Sequence, residues 1–479
     1  MNVSFYNDGA TIRVVYSDGR TVNLDKPYLV SVADDFISIR NELWGDRFHY
    51  SDVIVPSSTS IDDLRSTLET WLESANSAES SGDLVRFSRE NADISGQVGV
   101  GTPTPLGDYR FTYNLNTRYF NTKTNGTGAI THDTTNKSAR IEVSANNDWA
   151  IISTYQSHPY YAGFPIGFEF TTINFQAETG VEKFVVYGDR TFSAYTGLDG
   201  IQLIARDGTH YIEIWNAGTK LAEYPRSGWA DPMDGTGPSK INLGTFSTFC
   251  VFSIQWLWLG GAGVALFAYA NGRKYLMAII PWSYTKSTII ISNPQKPLQA
   301  GMKSTGGSGH FNFICSTVKT LGTPSTEVGE TRSISGGATP ITLAGSPNNT
   351  ALIGLRLKSS FRNANLEPIS LSLIPGTSND IFRWKLILNP TVAGTFNYSN
   401  AVADDSFEYA IGATTNTVTG GTEILAGESF SGIPFYQIIK TTRLLGFSLS
   451  GVADTLILCA QPLTSGVSIN ASMNIKQRY

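Results

Sequence analysis

Through most of this chain, short runs of alternating apolar and polar residues are broken at intervals of about ten positions by Gly, Asn, Asp or Pro, the spacing of strands and tight turns. Val3 to Tyr6, Thr11 to Tyr16 and Thr21 to Leu24 are strand-like, and Asn7-Asp8-Gly9 and Ser17-Asp18-Gly19 join them. Asp-Gly between β-formers predicts a hairpin, because both turn positions need a positive φ that Gly and Asp tolerate. Ile201 to Ala205 and Tyr211 to Trp215 repeat the pattern around Asp207-Gly208, and Asn216-Ala217-Gly218 follows. The most apolar run, Phe249 to Ala268, contains Gln255 and three glycines (Gly260, Gly261, Gly263) and is flanked by strand patterns, so it reads as buried sheet and not as a membrane span.

Helical spacing stands out once. Ser60 is placed as an N-cap with Asp63 closing a capping box, and Ile61, Leu64, Leu68, Trp71 and Leu72 then share one face. That face needs a cover, either the neighbouring hairpins or another protein.

The predicted fold class is mainly β: a small N-terminal α+β module followed by two antiparallel β-sandwich or jelly-roll domains. Expected boundaries are 1-78 for the module, 79-104 for a linker rich in Ser, Ala, Asn and Gly, 105-322 for the first sandwich, 323-347 for a second linker and 348-479 for the second sandwich. Trp149, Trp215, Trp256, Trp258 and Phe267 are the expected inward aromatics of the first sandwich. With 479 residues the chain exceeds what one hydrophobic core supports. No internal repeat at a fixed period points to a propeller or solenoid.

Composition sharpens this picture. Charged residues are 16% of the chain, and Ser, Thr, Asn and Gly replace them, which suits sheets with polar faces better than long helices. A net charge of −5 argues against nucleic-acid binding through phosphate neutralisation. The first residues carry no basic and apolar leader pattern, so synthesis in the cytoplasm is expected. Cys250, Cys315 and Cys459 lie far apart and read as small buried hydrophobes.

The search for chemistry gives little. His49, His132, His158, His210 and His310 show no zinc-type pairing, and the cluster Leu259 to Gly263 lacks the helix that a phosphate cradle needs. No G-x-S-x-G elbow is present. Glycoside hydrolysis would need two carboxylates flanking the bond, and the candidates Asp404, Asp405, Glu408, Glu142, Asp148, Glu169 and Glu182 do not stand out from their context. Asp231-Pro232-Met233-Asp234-Gly235 could be part of a calcium loop but lacks the longer ligand series, so an ordinary turn is expected. No catalytic residue, cofactor or metal ligand is assigned. Tyr155, His158, Tyr160, Tyr161 and Phe164, beside Pro159, Gly163 and Pro165, form a candidate contact loop for a receptor or glycan; alternatively the loop folds its rings back onto the sandwich.

Several segments resemble a β-domain recurrent in structural proteins of tailed bacteriophages. Ser253-Ile254-Gln255-Trp256-Leu257, then glycines, Val264 to Phe267, Asn271-Gly272-Arg273 and Phe313 to Val318 follow its order of a Q-W-L-G strand, a glycine turn and a closing I-C-S-T-V strand. Ile353 to Lys358, Leu386 to Thr391 and Gly420-Gly421-Thr422 are similar to its C-terminal part, and together these cover roughly residues 240 to 479. Ser51 to Pro56 with the predicted helix is similar to small phage domains in which S-D-V-x-x-P precedes a short Leu-bearing helix. Trp258 and the segment Lys319-Thr320-Leu321-Gly322 depart from the pattern.

The resemblance implies a virion component, made in the host cytoplasm, with other virion proteins as partners and no catalytic centre. A fibre or attachment protein is expected, docked on the particle through Ile61, Leu64, Leu68, Trp71 and Leu72 and assembled as a homo-oligomer, with a trimer favoured. Host cell-surface glycan or protein is the candidate external partner, with neither nucleic acid nor membrane insertion involved. The alternatives are a capsid decoration or baseplate component without a receptor role, and a carbohydrate-binding or glycan-degrading spike.

Overall fold

The computed structural model describes six strands between Val3 and His49 and residues 103–478, apart from 192–195, 258–262, 284, 323–328, 378–379, 401, 430–434 and 440–444. The chain divides after Arg86 into two compact units. The first contains β1 (Val3–Asn7), β2 (Thr11–Tyr16) and β3 (Thr21–Asp25) in one antiparallel sheet, and β4 (Leu29–Ala33), β5 (Phe36–Arg40) and β6 (Gly45–His49) in another. Both hairpins predicted at Asp-Gly are present. The predicted helix, with Ile61, Leu64, Leu68, Trp71 and Leu72, lies outside the described residues.

The second unit begins with a sandwich of two antiparallel sheets. Its strands are β7 (Thr104–Arg110), β8 (Phe120–Asn125), β9 (Ala129–Asp133), β10 (Ser138–Val143), β11 (Trp149–Thr154), β12 (Ile166–Ile173), β13 (Val181–Thr191), β14 (Thr196–Arg206), β15 (Thr209–Asn216), β16 (Thr219–Pro225), β17 (Cys250–Leu257), β18 (Gly263–Ala270), β19 (Arg273–Pro281), β20 (Leu298–Ser304) and β21 (Gly309–Thr320). Sheet I has the order β19-β18-β17-β12-β21-β10-β9, with β7 beside β21; sheet II runs β16-β15-β14-β13-β20-β11-β8.

Alternation along each strand decides the faces. Phe168, Phe170, Ile254 and Trp256 of sheet I meet Val185, Tyr187, Ile201, Leu203 and Ile212 of sheet II in one core. The ring of Tyr187 lies 5.8 Å from Phe168 and 5.6 Å from Trp256, which joins the two layers. Each such fully buried large side chain is worth about 1.5–3 kcal/mol relative to exposure. Of the described aromatics expected inside, only Trp256 is. Trp149, Trp215 and Phe267 sit on the alternate positions of their strands and point away from this core, and Trp258 is outside the described residues. Period two gives the face shared by residues i and i+2, but not which face is inner.

The second sandwich contains β22 (Glu330–Ser335), β23 (Ile341–Thr342), β24 (Asn349–Leu357), β25 (Asn365–Pro375), β26 (Phe382–Leu388), β27 (Thr391–Val392), β28 (Ser399–Asn400), β29 (Phe407–Ile411), β30 (Thr417–Thr419), β31 (Thr422–Ser429), β32 (Phe435–Ile438), β33 (Thr455–Pro462) and β34 (Ser468–Arg478). Sheet III has the order β22-β34-β25-β32, with β23 beside β34. Sheet IV runs β27-β30-β24-β33-β26-β31, with β29 on β24 and β28 on β29. Leu371, Leu373, Met473 and Ile475 face Leu355, Trp384, Leu386 and Leu458 across the core. One expectation is corrected here: residues 323-347 are not only linker, because β22 and β23 both pair with β34 and Ile334 and Ile341 enter the core. Their Ser- and Gly-rich surroundings hide two short edge strands.

The two sandwiches are fastened to each other. Arg362 lies 3.4 Å from Asp189, Ser157 donates to Asn363 at 3.3 Å, and Asn365 donates to Gln295. The Phe447 amide donates to the Tyr155 carbonyl at 3.1 Å, and the Leu449 amide to Asn121 at 2.7 Å. Leu449 then packs with Ile151, Phe184, Val186, Leu198 and Ile204 on the outer face of sheet II.

Candidate functional site

The five residues of the expected contact loop do not form one exposed cluster. His158 is fully buried: its Nδ1 is 2.9 Å from the Lys296 carbonyl and its Nε2 2.7 Å from the Tyr109 hydroxyl. Burial pushes its pKa down to about 4, so it is a neutral core group and is withdrawn from any surface contact. Tyr155 sits at the seam between the sandwiches, where its carbonyl receives the Phe447 amide. Tyr160 stacks on Trp256 with centroids 5.9 Å apart. Tyr161 and Phe164 close a turn, the Phe164 amide donating to the Tyr161 carbonyl at 3.1 Å, and both rings remain half-buried. The loop has largely folded its rings back, the alternative weighed for it.

A more organised surface lies on the outer face of sheet II, beside the part that Leu449 covers. Strand register places Ser153, Gln299, Val186, Gln202, Glu213 and Glu223 in one row across six strands. Tyr211, Glu213 and Trp215 share the outward face of β15 by alternation. The Glu213 carboxylate accepts from Gln202 Nε2 at 2.6 Å and from the Trp215 indole at 2.8 Å, and lies 2.6 Å from Arg206 and 3.5 Å from Lys220. Glu223, opposite it, takes Arg206 at 2.7 Å and also Lys220. Arg190 donates to Gln202 at 2.9 Å and lies over the Phe184 ring.

Charge in this patch is balanced by contact. The hydrogen bond from Lys220 lowers the Glu223 pKa, with Arg206 adding to it. Burial opposes the charge of Arg206, but Glu213 and Glu223 outweigh it and its pKa is raised. Glu223 is therefore held as an ionised acceptor, and the half-buried rings of Trp215 and Tyr211 lie under Lys220 and Arg206. Such a patch can bind a polar or planar partner; the lowered pKa of Glu223 does not suit it to act as a general acid near neutral pH.

The outer face of sheet I carries a second polar group. Glu169 accepts from Tyr269 and from Lys319, both at 2.7 Å, and although burial opposes its charge these partners lower its pKa. Burial brings Lys274 down to about 8. The remaining candidates are dispersed: Glu142 pairs with Arg140, Asp405 with Arg332 and Glu408 with Arg356, while Asp148 accepts from Thr127 and the Ala145 amide. His132 contacts the Phe111 carbonyl, His210 the Phe175 carbonyl and His310 the Asn174 amide. Asp231 accepts from the Met233 and Ser239 amides and Asp234 from the Thr236 amide, which is turn chemistry. Cys250 and Cys459 are buried, and burial raises their pKa to about 11 and about 12; Cys315 is half-exposed.

The sequence quoted the β15 pattern but not its role, since alternation groups Tyr211, Glu213 and Trp215 without telling outside from inside. Lys220, Glu223 and Arg206 join them only through strand pairing.

No family model matches the chain, and no curated protein matches it. Among solved structures, the chain is similar to a legume lectin-like domain from Entamoeba histolytica, at 12% identity and a TM-score of 0.30, over 46% of this chain and 99% of that one. It is similar also to Bacillus licheniformis β-glucanase, at 12% identity and 0.29, over 44% and 97%, and to a Bacillus subtilis protein with a galectin-like fold, at 9% and 0.30, over 46% and 100%.

Proposed function

We propose that this chain is a non-catalytic structural protein of a tailed-phage particle, of the fibre or attachment type, docked through its N-terminal module. The observation that carries the mechanical part of this reading is the seam: Arg362–Asp189, Asn365–Gln295 and Leu449 fasten two sandwiches together, as a projecting rod requires. The phage assignment rests on the ordered motifs between residues 240 and 479. Deleting residues 1–78 tests the docking: the truncated protein is expected to be lost from purified particles, and incorporation at normal copy number contradicts the claim.

A second reading, a carbohydrate-binding spike, is favoured by the Glu213–Trp215 patch, where a fixed carboxylate, two cations and half-buried rings occupy one sheet face. Trp215→Ala is expected to weaken binding to host cells or extracted host polysaccharide at least about tenfold with little change in melting temperature. Equal binding removes this reading, and release of reducing sugar would turn it into an enzyme.

A further inference from the structure

On the outer face of sheet I, register gathers two lysines, a tyrosine and a glutamate around a covered aromatic ring. Phe168, Leu266, Ala268 and Val318 point into the core, so Glu169, Phe267, Tyr269 and Lys319 point out. On the neighbouring edge strand β19, Lys274 stands directly opposite Tyr269, and Leu276 opposite Phe267. Farther along the same rows stand Cys315 on β21 and the Asp108–Arg110 pair on β7.

Lys274 is half-buried, and its Nζ lies 4.2 Å from the centroid of the Phe267 ring and 5.9 Å from that of Tyr269. These ring faces attract an ammonium, but they also replace the water around it. Among the described residues no carboxylate lies within ion-pair distance of Lys274. Glu169, the carboxylate nearest in the rows, is taken by Lys319 and by the Tyr269 hydroxyl, both at 2.7 Å. A lysine desolvated in this way, with a second cation beside it, gives up its proton at lower pH than an exposed one and becomes a nucleophile. Burial is the largest influence on Lys274, Glu169 opposes it and Lys319 adds to it, and the pKa falls from 10.5 to about 8.

We propose that Lys274 is a covalent attachment site for aldehydes, which it captures as an imine. The uncharged Nζ adds to the carbonyl carbon, and one of its protons passes to the carbonyl oxygen. The hydroxyl so formed then leaves as water with the second proton, and a C=N bond replaces the C=O. Near neutral pH this sequence needs an amine that is partly unprotonated and a neighbouring acid for the departing hydroxyl. Lys319 and Tyr269 bring N–H and O–H groups to the same place, and Glu169, whose pKa they lower, is the proton acceptor between them. An acyl donor would need no such acid, so this set of groups selects the aldehyde. The capture is stoichiometric and reversible, and it is independent of where the chain sits on a particle.

A brief exposure of the full chain to glyceraldehyde, followed by borohydride to reduce any imine to a stable amine, tests the proposal by peptide mass spectrometry. At neutral pH Lys274 is expected to be marked at least about tenfold faster than the exposed Lys137 and Lys286, with the rise in marking centred near pH 8. Lys274→Arg keeps a cation over Phe267 and is expected to lose the mark with an unchanged melting temperature. Lys319→Met frees Glu169 to pair with Lys274, and is expected to move the profile upward by about one pH unit and slow the marking at neutral pH about tenfold. Marking of Lys274 no faster than that of Lys137 and Lys286, or a profile that stays in place in Lys319→Met, overturns the proposal. Rapid acetylation of Lys274 by acetic anhydride without rapid marking by glyceraldehyde overturns the choice of aldehyde.

Discussion

His158 and His210 show what a single buried residue contributes and at what pH. Both have pKa values lowered to about 4 by burial, against an ordinary value near 6.5. A base whose folded pKa is depressed binds fewer protons folded than unfolded, so its stability contribution is complete above pH 6.5 and is lost as pH falls toward 4. Each is expected to cost on the order of 1–3 kcal/mol by pH 4. Denaturant midpoints at pH 7 and pH 4.5 check this, and replacing His158 by Gln should reduce the difference; an unchanged difference contradicts it. Trp256 is a fully buried indole of the first core and packs against Tyr160 and Tyr187, so Trp256→Ala is expected to cost about 3–5 kcal/mol.

Among elements, the turns are the most legible from sequence. Asp207 and Gly208 have φ of 48° and 78°, and Asn271 and Gly272 of 50° and 74°, the paired positive values of two-residue hairpin turns. β22 and β23 were hidden because short edge strands in Ser- and Gly-rich sequence carry no alternation long enough to read. Trp149 and Trp215 were assigned inward because large aromatics usually are. Sheet II overrides this by placing Leu449, from far along the chain, against the same outer face. The polar patch was legible only as the β15 triplet. Gly301 lies beneath the Phe184 ring on that face, in the row of Ile151 and Ile204, where an added Cβ would meet the ring. Gly301→Val is expected to displace Phe184 and cost about 1–3 kcal/mol, with a lowered melting temperature; an unchanged one would show that the ring moves freely.

For the whole molecule, the seam decides whether the two sandwiches unfold together. Leu449 buries its side chain among five apolar residues of sheet II, and Asn121 receives its amide. Leu449→Asp would place a charge among these apolar side chains, which is expected to uncouple the sandwiches and split one calorimetric transition into two. A single transition shifted as a whole would mean that the remaining polar contacts suffice.

The most direct measurement for the proposed virion role is quantitative mass spectrometry of phage particles purified from cultures in which this chain is made. The account predicts peptides from both sandwiches at a fixed multiple of the known virion proteins, retained after high-salt washing. Peptides confined to the infected-cell lysate and missing from washed particles would contradict it.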